Sequence, residues 1–388
     1  MTIWDPAAFV FWASLLLMTY VYVGYPLVAA MRARWRPRPR VRAPIEPSVS
    51  IVVTAHDEAD RIASRLTNLL ALDYPVDRLE VVVASDGSTD ATVERAREYA
   101  HRGVTVRPFA VRRGKAAVLN AVVPGLRSDV VLFADARQRF DRGALRALVE
   151  NFADPTVGAV SGELVLTTAA GPAAARQGTA FYWRYEKFIR ATEGRADSTV
   201  GATGAIYAIR RDLFEPIPDD TILDDVLIPL RITRKGLRVV FEPGACAYDG
   251  AATARQEFVR KTRTTAGTFQ LFTRERWLFH PLRNRLWFET MSHKALRLAL
   301  PPLHAAVLLA ALALVSAPFY RWALAGQLVF YAAALIGYLR RGTGRRAFVF
   351  SVPCAICVLN WATVVGFIRF LTHRQPVTWE RVGSLASP

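Results

Sequence analysis

The sequence predicts an α/β domain on a doubly wound, mostly parallel sheet, joined to an α-helical transmembrane region of one N-terminal and about three C-terminal helices. Two observations carry this. From residue 48 to residue 134, apolar β-branched runs alternate with helix-length runs, as strands buried on both faces and linked by crossover helices do. In addition, 52% of the 388 residues are hydrophobic, more than a soluble chain carries, and the excess lies in four long stretches.

The first stretch, residues 9–30, is followed at once by "MRARWRPRPR". It is too long for a signal-peptide core and lacks a small-residue cleavage site, so it reads as an uncleaved anchor. "RPRPRVRAPIEP" cannot continue that helix and delivers the chain to a new domain. There "SVSIVVTAH", "LEVVVAS", "VTVRPF" and "DVVLFA" read as strands, and "RIASRLTNLLAL", "TDATVERAREYA" and "KAAVLNAVVPGL" as the helices between them. Residues 255–290 read as amphipathic interfacial helices, with Phe269, Phe272, Trp277, Phe279, Trp287 and Phe288 set among arginines. The remaining apolar stretches, 295–317, 322–339 and 348–371, are each near the ~20 residues that span a bilayer. The expected boundaries are 1–45 for the first helix and linker, 46–255 for the α/β domain, 256–294 for the interfacial helices, and 295–388 for the last helices and tail.

The arginines after the first helix, together with Arg340, Arg341, Arg345 and Arg346, place the α/β domain on the cytoplasmic side of a bacterial inner membrane. The basic tail, residues 373–381, would then fall outside unless it is interfacial or the last helix does not cross. A net charge of +17 would suit nucleic acid in a soluble protein. Here the arginines gather beside membrane segments and in residues 255–297, which suits anionic lipid headgroups and phosphorylated ligands, so no nucleic-acid partner is expected. Three cysteines give no disulfide framework, and Cys354 and Cys357 read as small packing residues of an apolar helix. Oligomeric state is not fixed by these features.

Ligands of such sheets sit at the carboxyl ends of the strands. The polar residues there are Thr54 and Glu58, Asp86 in "SDGSTD", Lys115 in "RRGKAAVLN", and Asp135 in "ADARQRF". Further on, "GATGAIYAIRR" offers Gly201, Thr203 and Gly204 where a backbone must approach a ligand closely. "TILDDVLIPLRITRKG" contains Asp224 and Asp225, and "EFVRKTRTTAGTFQ" contains Arg260 and Arg263.

This succession resembles the family 2 inverting glycosyltransferases of the GT-A fold, especially the membrane-integrated hyaluronan, chitin-oligosaccharide, poly-N-acetylglucosamine and cellulose synthases. The resemblance covers residues 46–270 and, through the helix layout, nearly the whole chain. It implies a nucleotide-sugar site, most simply for a UDP-sugar, at Thr54, Glu58, Asp86, Lys115, Asp135, Arg137, Arg260 and Arg263. Glu58 and Asp86 would hold ribose and base, Lys115 would lie near the base or diphosphate, and Arg263 would face the diphosphate. Gly201, Thr203 and Gly204 would border the acceptor. Asp225, beside Asp224, would be the base that takes the acceptor's proton. The resemblance also implies Mg2+ or Mn2+ at Asp135. The second acid of the family's Asp-x-Asp pair is Arg137 here, which leaves two readings: a metal completed by water or by Asp224 or Asp249, or charge compensation by Arg137 itself. Likewise Thr264 stands where the processive synthases stack their acceptor on tryptophan. The implied activity is transfer to a saccharide acceptor, building a cell-surface or extracellular polysaccharide. A single addition to a lipid-linked acceptor is the alternative, and a non-catalytic nucleotide-binding partner protein the second.

Overall fold

The computed structural model describes residues 5–167, 177–250, 253–340 and 348–378. Arg341, Arg345, Arg346 and tail residues 379–381 lie outside them. The chain opens with one long helix, α1 (Pro6–Trp35). The α/β domain follows as β1 (Val49–Ala55), α2 (Ala59–Leu70), β2 (Leu79–Asp86), α3 (Thr92–Arg97), β3 (Val104–Phe109), α4 (Lys115–Val122) and β4 (Val130–Asp135). It continues with β5 (Arg139–Phe140), α5 (Ala144–Val149), β6 (Val157–Thr167), α6 (Gln177–Ala196), β7 (Ile206–Arg210), α7 (Asp224–Arg234) and β8 (Arg238–Gly250).

The eight strands form one sheet in the order β3-β2-β1-β4-β7-β6-β8-β5. The four strands expected from the apolar runs are parallel neighbours, and β7 then joins β4 antiparallel. Side chains alternate across β1: Ile51 and Val53 pack with Ile62, Leu66 and Leu69 of α2, while Val52 faces Val118 and Leu119 of α4. Each such fully buried aliphatic side chain contributes roughly 1.5–3 kcal/mol. Because β1, β2 and β4 run in register, Thr54 lies beside Asp135 and Ala55 beside Ser85, so the polar residues after each strand reach one crevice.

Helix α8 (Ala254–Arg274) starts with a capping box, Thr253 and Gln256 exchanging side-chain-to-backbone hydrogen bonds. Its apolar face is covered by protein. Leu271 and Phe272 join the core under α7, and Phe269 packs on Phe367 and Phe370 of α12 (Phe348–Leu371). Of the aromatic stripe read as interfacial, Phe279 and Trp287 remain exposed.

Among the described residues, three helices are long and apolar enough to cross a membrane: α1, Pro318–Leu339, and the apolar length of α12. They turn large side chains such as Phe9, Leu16, Trp322, Val329 and Trp361 outward, as lipid contact requires. The stretch 295–317, expected as one span, is instead the end of a bent pair. Helix α9 (Trp287–Leu298) and α10 (Leu300–Ala313) meet at 58°, before α11 (Pro318–Leu339). Pro301 and Pro302 carry no N–H for the carbonyls of Arg297 and Leu298, and the helix breaks there.

The membrane helices are tied to the domain by buried charge. His293 of α9 lies between Glu186 (2.9 Å) and Glu193 (2.7 Å) of α6, Arg297 donates to Glu186 (2.8 Å), and the Tyr25 hydroxyl of α1 donates to Glu193. After α12 the chain returns to the domain, where the Val377 carbonyl accepts from Arg263 at 2.9 Å. The described part of the tail thus packs against the α/β domain.

Candidate active site

Asp86 ends β2 with both carboxylate oxygens in use, one accepting from the N–H of Arg113 (2.6 Å), the other from that of Gly114 (2.9 Å). It is fully buried. These two bonds fold the loop that begins α4 around Asp86. Gly114 in that loop adopts φ +92, a left-handed conformation that favours glycine. His56 and Asp57 brace the opposite side. His56 Nδ1 donates to the Asp86 carbonyl at 2.7 Å, and Asp57 accepts from the Thr89 N–H at 2.8 Å while itself at φ +52. From the sequence His56 is one of the polar residues after the first strand, without a role of its own, because its partner lies in a loop 30 residues away. Thr54 and Glu58 are buried at the end of β1 and the start of α2, and Arg61 pairs with Glu58 at 3.3 Å.

Lys115 opens α4 and points across the crevice. Its Nζ is 3.0 Å from Asp135 Oδ1 and 3.5 Å from Asp224 Oδ2, with the side chain 13% exposed. Burial opposes its charge, yet Asp135, Asp224 and Asp225 outweigh that and hold its pKa above the usual lysine value. Burial likewise opposes ionisation of Asp135, and Lys115 with Arg137 outweighs it, so this acid titrates below the usual range.

Asp224 and Asp225 begin α7. Asp224 is buried and accepts from the Tyr207 hydroxyl at 3.5 Å, that ring being stacked on Phe133 at 4.6 Å between centroids. The position of Asp225 follows from a proline. Pro229, inside α7, has no N–H for the Asp225 carbonyl, which accepts instead from Ala202 at 2.7 Å. The Asp225 side chain accepts from Gly204 N–H at 2.9 Å. Both halves of this residue are therefore fastened to the Gly201–Gly204 strip named from the sequence. Burial first, and the neighbouring charge of Asp224 second, push the Asp225 pKa up to about 6. A Cβ on Gly204 would lie 2.8 Å from Asp225 Oδ2. Gly204→Ala is accordingly expected to displace the carboxylate and lower turnover about 10²-fold, with donor KM little changed; steady-state kinetics checks this. Gly201 sits at φ +89 against Val226, and Thr203 accepts a hydrogen bond from Arg190 of α6. Arg190 was missed in the sequence because only tertiary packing brings it to the strip.

On the other wall, Arg137 Nε pairs with Asp249 at 3.2 Å, and Arg260 lies 3.9 Å from Glu257. Burial first, then the nearby charge of Arg137, lowers the Arg260 pKa. Burial also lowers that of Arg263, against the pull of Asp224, Asp225 and Asp135. Arg263 Nε is buried and has no hydrogen-bond partner among the described residues.

The donor set does not fit a divalent cation. The described residues hold no cluster of three or more acidic, histidine or cysteine side chains arranged to bind one. Asp135 and Asp224 share an ammonium, and Asp249 is engaged by Arg137 and Gln138. A divalent ion would compete with the Lys115 ammonium for the same two carboxylates.

Comparison with known proteins bears on the fold and on the family of the domain. Residues 50–217 match the family model described as Glycosyl transferase family 2. The probable glycosyltransferase YdaM of Bacillus subtilis is 28% identical over 52% of this chain and 50% of its own length. The β-monoglucosyldiacylglycerol synthase of Synechocystis is 27% identical over 58% and 49%. The poly-β-1,6-N-acetyl-D-glucosamine synthase of Staphylococcus aureus is 25% identical over 52% and 49%. The chain thus spans about half the length of these curated relatives. Among solved structures, the mannosyltransferase PcManGT from Pyrobaculum calidifontis, determined with GDP-Man and Mn2+, covers 94% of this chain and 99% of its own, at TM-score 0.72 and 24% identity. The sheet with its flanking helices is accordingly a GT-A fold, and the chain carries a glycosyl transferase family 2 domain over residues 50–217.

Proposed function

We propose that the protein is a membrane-bound inverting glycosyltransferase that moves a sugar from a nucleoside-diphosphate donor, most simply a UDP-sugar, to a saccharide or lipid-linked acceptor. The observation that carries the reading is Asp225: a carboxylate with a pKa of about 6, fastened at both backbone and side chain beside a strip of small residues. In the proposed reaction the acceptor hydroxyl oxygen bonds to the anomeric carbon from the face opposite the diphosphate. The bond between that carbon and the β-phosphate oxygen breaks, its electron pair stays on the diphosphate, and the hydroxyl proton passes to Asp225. Gly201, Thr203 and Gly204 border the acceptor, while Thr54, Glu58, Lys115, Arg137, Arg260 and Arg263 surround the donor. Through Arg190 and Thr203 the acceptor strip joins α6, and through Glu186, Glu193 and His293 that helix is tied to the membrane helices, which supports an acceptor approaching from the lipid. Arginine-flanked apolar helices support a bacterial inner membrane with the domain on its cytoplasmic face.

Incubating the full chain with a panel of labelled nucleoside-diphosphate sugars and membrane lipids tests the reading, and no transfer or hydrolysis of any donor would refute it. The product then separates the two versions. A ladder on a gel means polysaccharide extension, and a single lipid-soluble band means one addition, which Thr264 in place of a stacking tryptophan favours.

The pH profile gives a second test. A base must be ionised to accept a proton, so turnover should rise through about pH 6 as Asp225 deprotonates and fall away below it. Asp224→Asn removes a charge that raises this pKa and should move the acid limb to lower pH.

A further inference from the structure

We infer that this site holds its donor diphosphate with side-chain cations instead of a divalent metal: Lys115 neutralises Asp135 and Asp224, and Arg137, Arg260 and Arg263 meet the phosphates. The inference rests on the nucleotide-sugar reading above and deepens it.

Three observations carry it. The first is occupancy. The place between Asp135 and Asp224, where a bridging cation would sit, is taken by the Lys115 ammonium at 3.0 and 3.5 Å. Lys115 enters from the first turn of α4, whose preceding loop is fixed by Asp86, so the ammonium is placed by the fold.

The second is charge. Replacing the second acid of an Asp-x-Asp pair by Arg137 changes the local charge from −1 to +1, a difference of two units and the same charge that a divalent ion brings. The head of Arg137 is aligned by Asp249 at 3.2 Å. With its neighbour Arg260 it forms a pair of guanidinium groups, which suits two phosphates better than it suits one carboxylate.

The third is an unmet hydrogen-bonding need. Arg263 Nε is buried with no partner among the described residues, and another nitrogen of the same guanidinium is held only by the neutral Val377 carbonyl. An anion that displaced Val377 would satisfy a guanidinium that the free protein satisfies only in part. In the transfer step the electron pair left on the β-phosphate would be met by these arginines, with no metal needed to balance it.

The test is calorimetric titration of UDP, and separately of GDP, into the full chain in detergent, once in excess EDTA and once in Mn2+. Metal-free binding predicts dissociation constants within about twofold in the two conditions for whichever nucleotide binds. It also predicts that Arg137→Ala weakens that nucleotide at least tenfold in EDTA. A tenfold or greater gain in affinity on adding Mn2+ to the wild-type protein overturns the inference and leaves the glycosyltransferase reading standing. If neither nucleotide binds in either condition, the donor reading fails and the inference with it. The wild-type comparison decides even if Arg137→Ala fails to fold.

Discussion

Asp225→Asn should reduce transfer by about 10³-fold, within the 10²–10⁴-fold range of a lost general base, while donor affinity changes less than about twofold. The substitution is close to isosteric. The asparagine carbonyl oxygen can still accept from Gly204 N–H, and the Asp225 backbone carbonyl keeps its bond from Ala202. What is removed is the ability to take a proton, together with one negative charge near Lys115. Asp224 cannot substitute, because its carboxylate is shared by Lys115 and Tyr207. Nor is another carboxylate fastened to the acceptor strip among the described side-chain hydrogen bonds. Single-turnover rates with a saturating labelled donor measure the chemistry, and calorimetric binding of the donor measures the rest. An unchanged rate would remove Asp225 from the role of base, and a proportional loss of donor binding would make it a structural residue.

The parts of this site that were legible in the sequence share one property: each polar residue directly follows a buried run. Val49–Ala55 and Val130–Asp135 are strands because nearly every side chain in them is apolar and buried, so Thr54 and Asp135 had to emerge together at their carboxyl ends. Asp225 was named in a different way, through the resemblance carried by "TILDDVLIPLRITRKG". What was not legible depends on long-range partners. The sequence cannot show that the two oxygens of Asp86 accept from N–H groups 27 and 28 residues later. It cannot show that Arg190, in the middle of an unremarked helix, reaches Thr203. The break before α10 was visible as "LALPPLH", but continuous apolarity hid it, because hydropathy is blind to the missing N–H of a proline. The side of the tail stayed open in the sequence because its contact with Arg263, through the Val377 carbonyl, joins residues 114 positions apart.

Lys115→Met carries the other large expected effect, and here the effect is on stability as well as rate. Methionine fills a similar volume but leaves Asp135, Asp224 and Asp225 facing one another without the ammonium that neutralises them. Breaking a fully buried pair costs about 3–5 kcal/mol. With Asp135 one-third exposed (34%), water screens part of that, and about 2–4 kcal/mol is expected. The pH dependence has a definite sign. In the wild type the depressed pKa of Asp135 contributes stability that is present above its unfolded value and lost as pH falls through the folded one. In the variant the unpaired acids should titrate higher than they do in the wild type, so lowering the pH from 7 to 5 should recover stability. The same vacancy makes the substitution informative about the cation. Two carboxylate oxygens that now converge on one ammonium become free to converge on Mn2+, a hard ion suited to oxygen ligands. Thermal inactivation of the full chain in detergent should therefore show a lower midpoint for Lys115→Met at pH 7, partial recovery at pH 5, and recovery on adding Mn2+ that the wild type does not display. A variant as stable as the wild type would mean that Lys115 does not neutralise the acids. A wild type stabilised by Mn2+ as strongly as the variant would mean that the ammonium and the metal do not compete for one place.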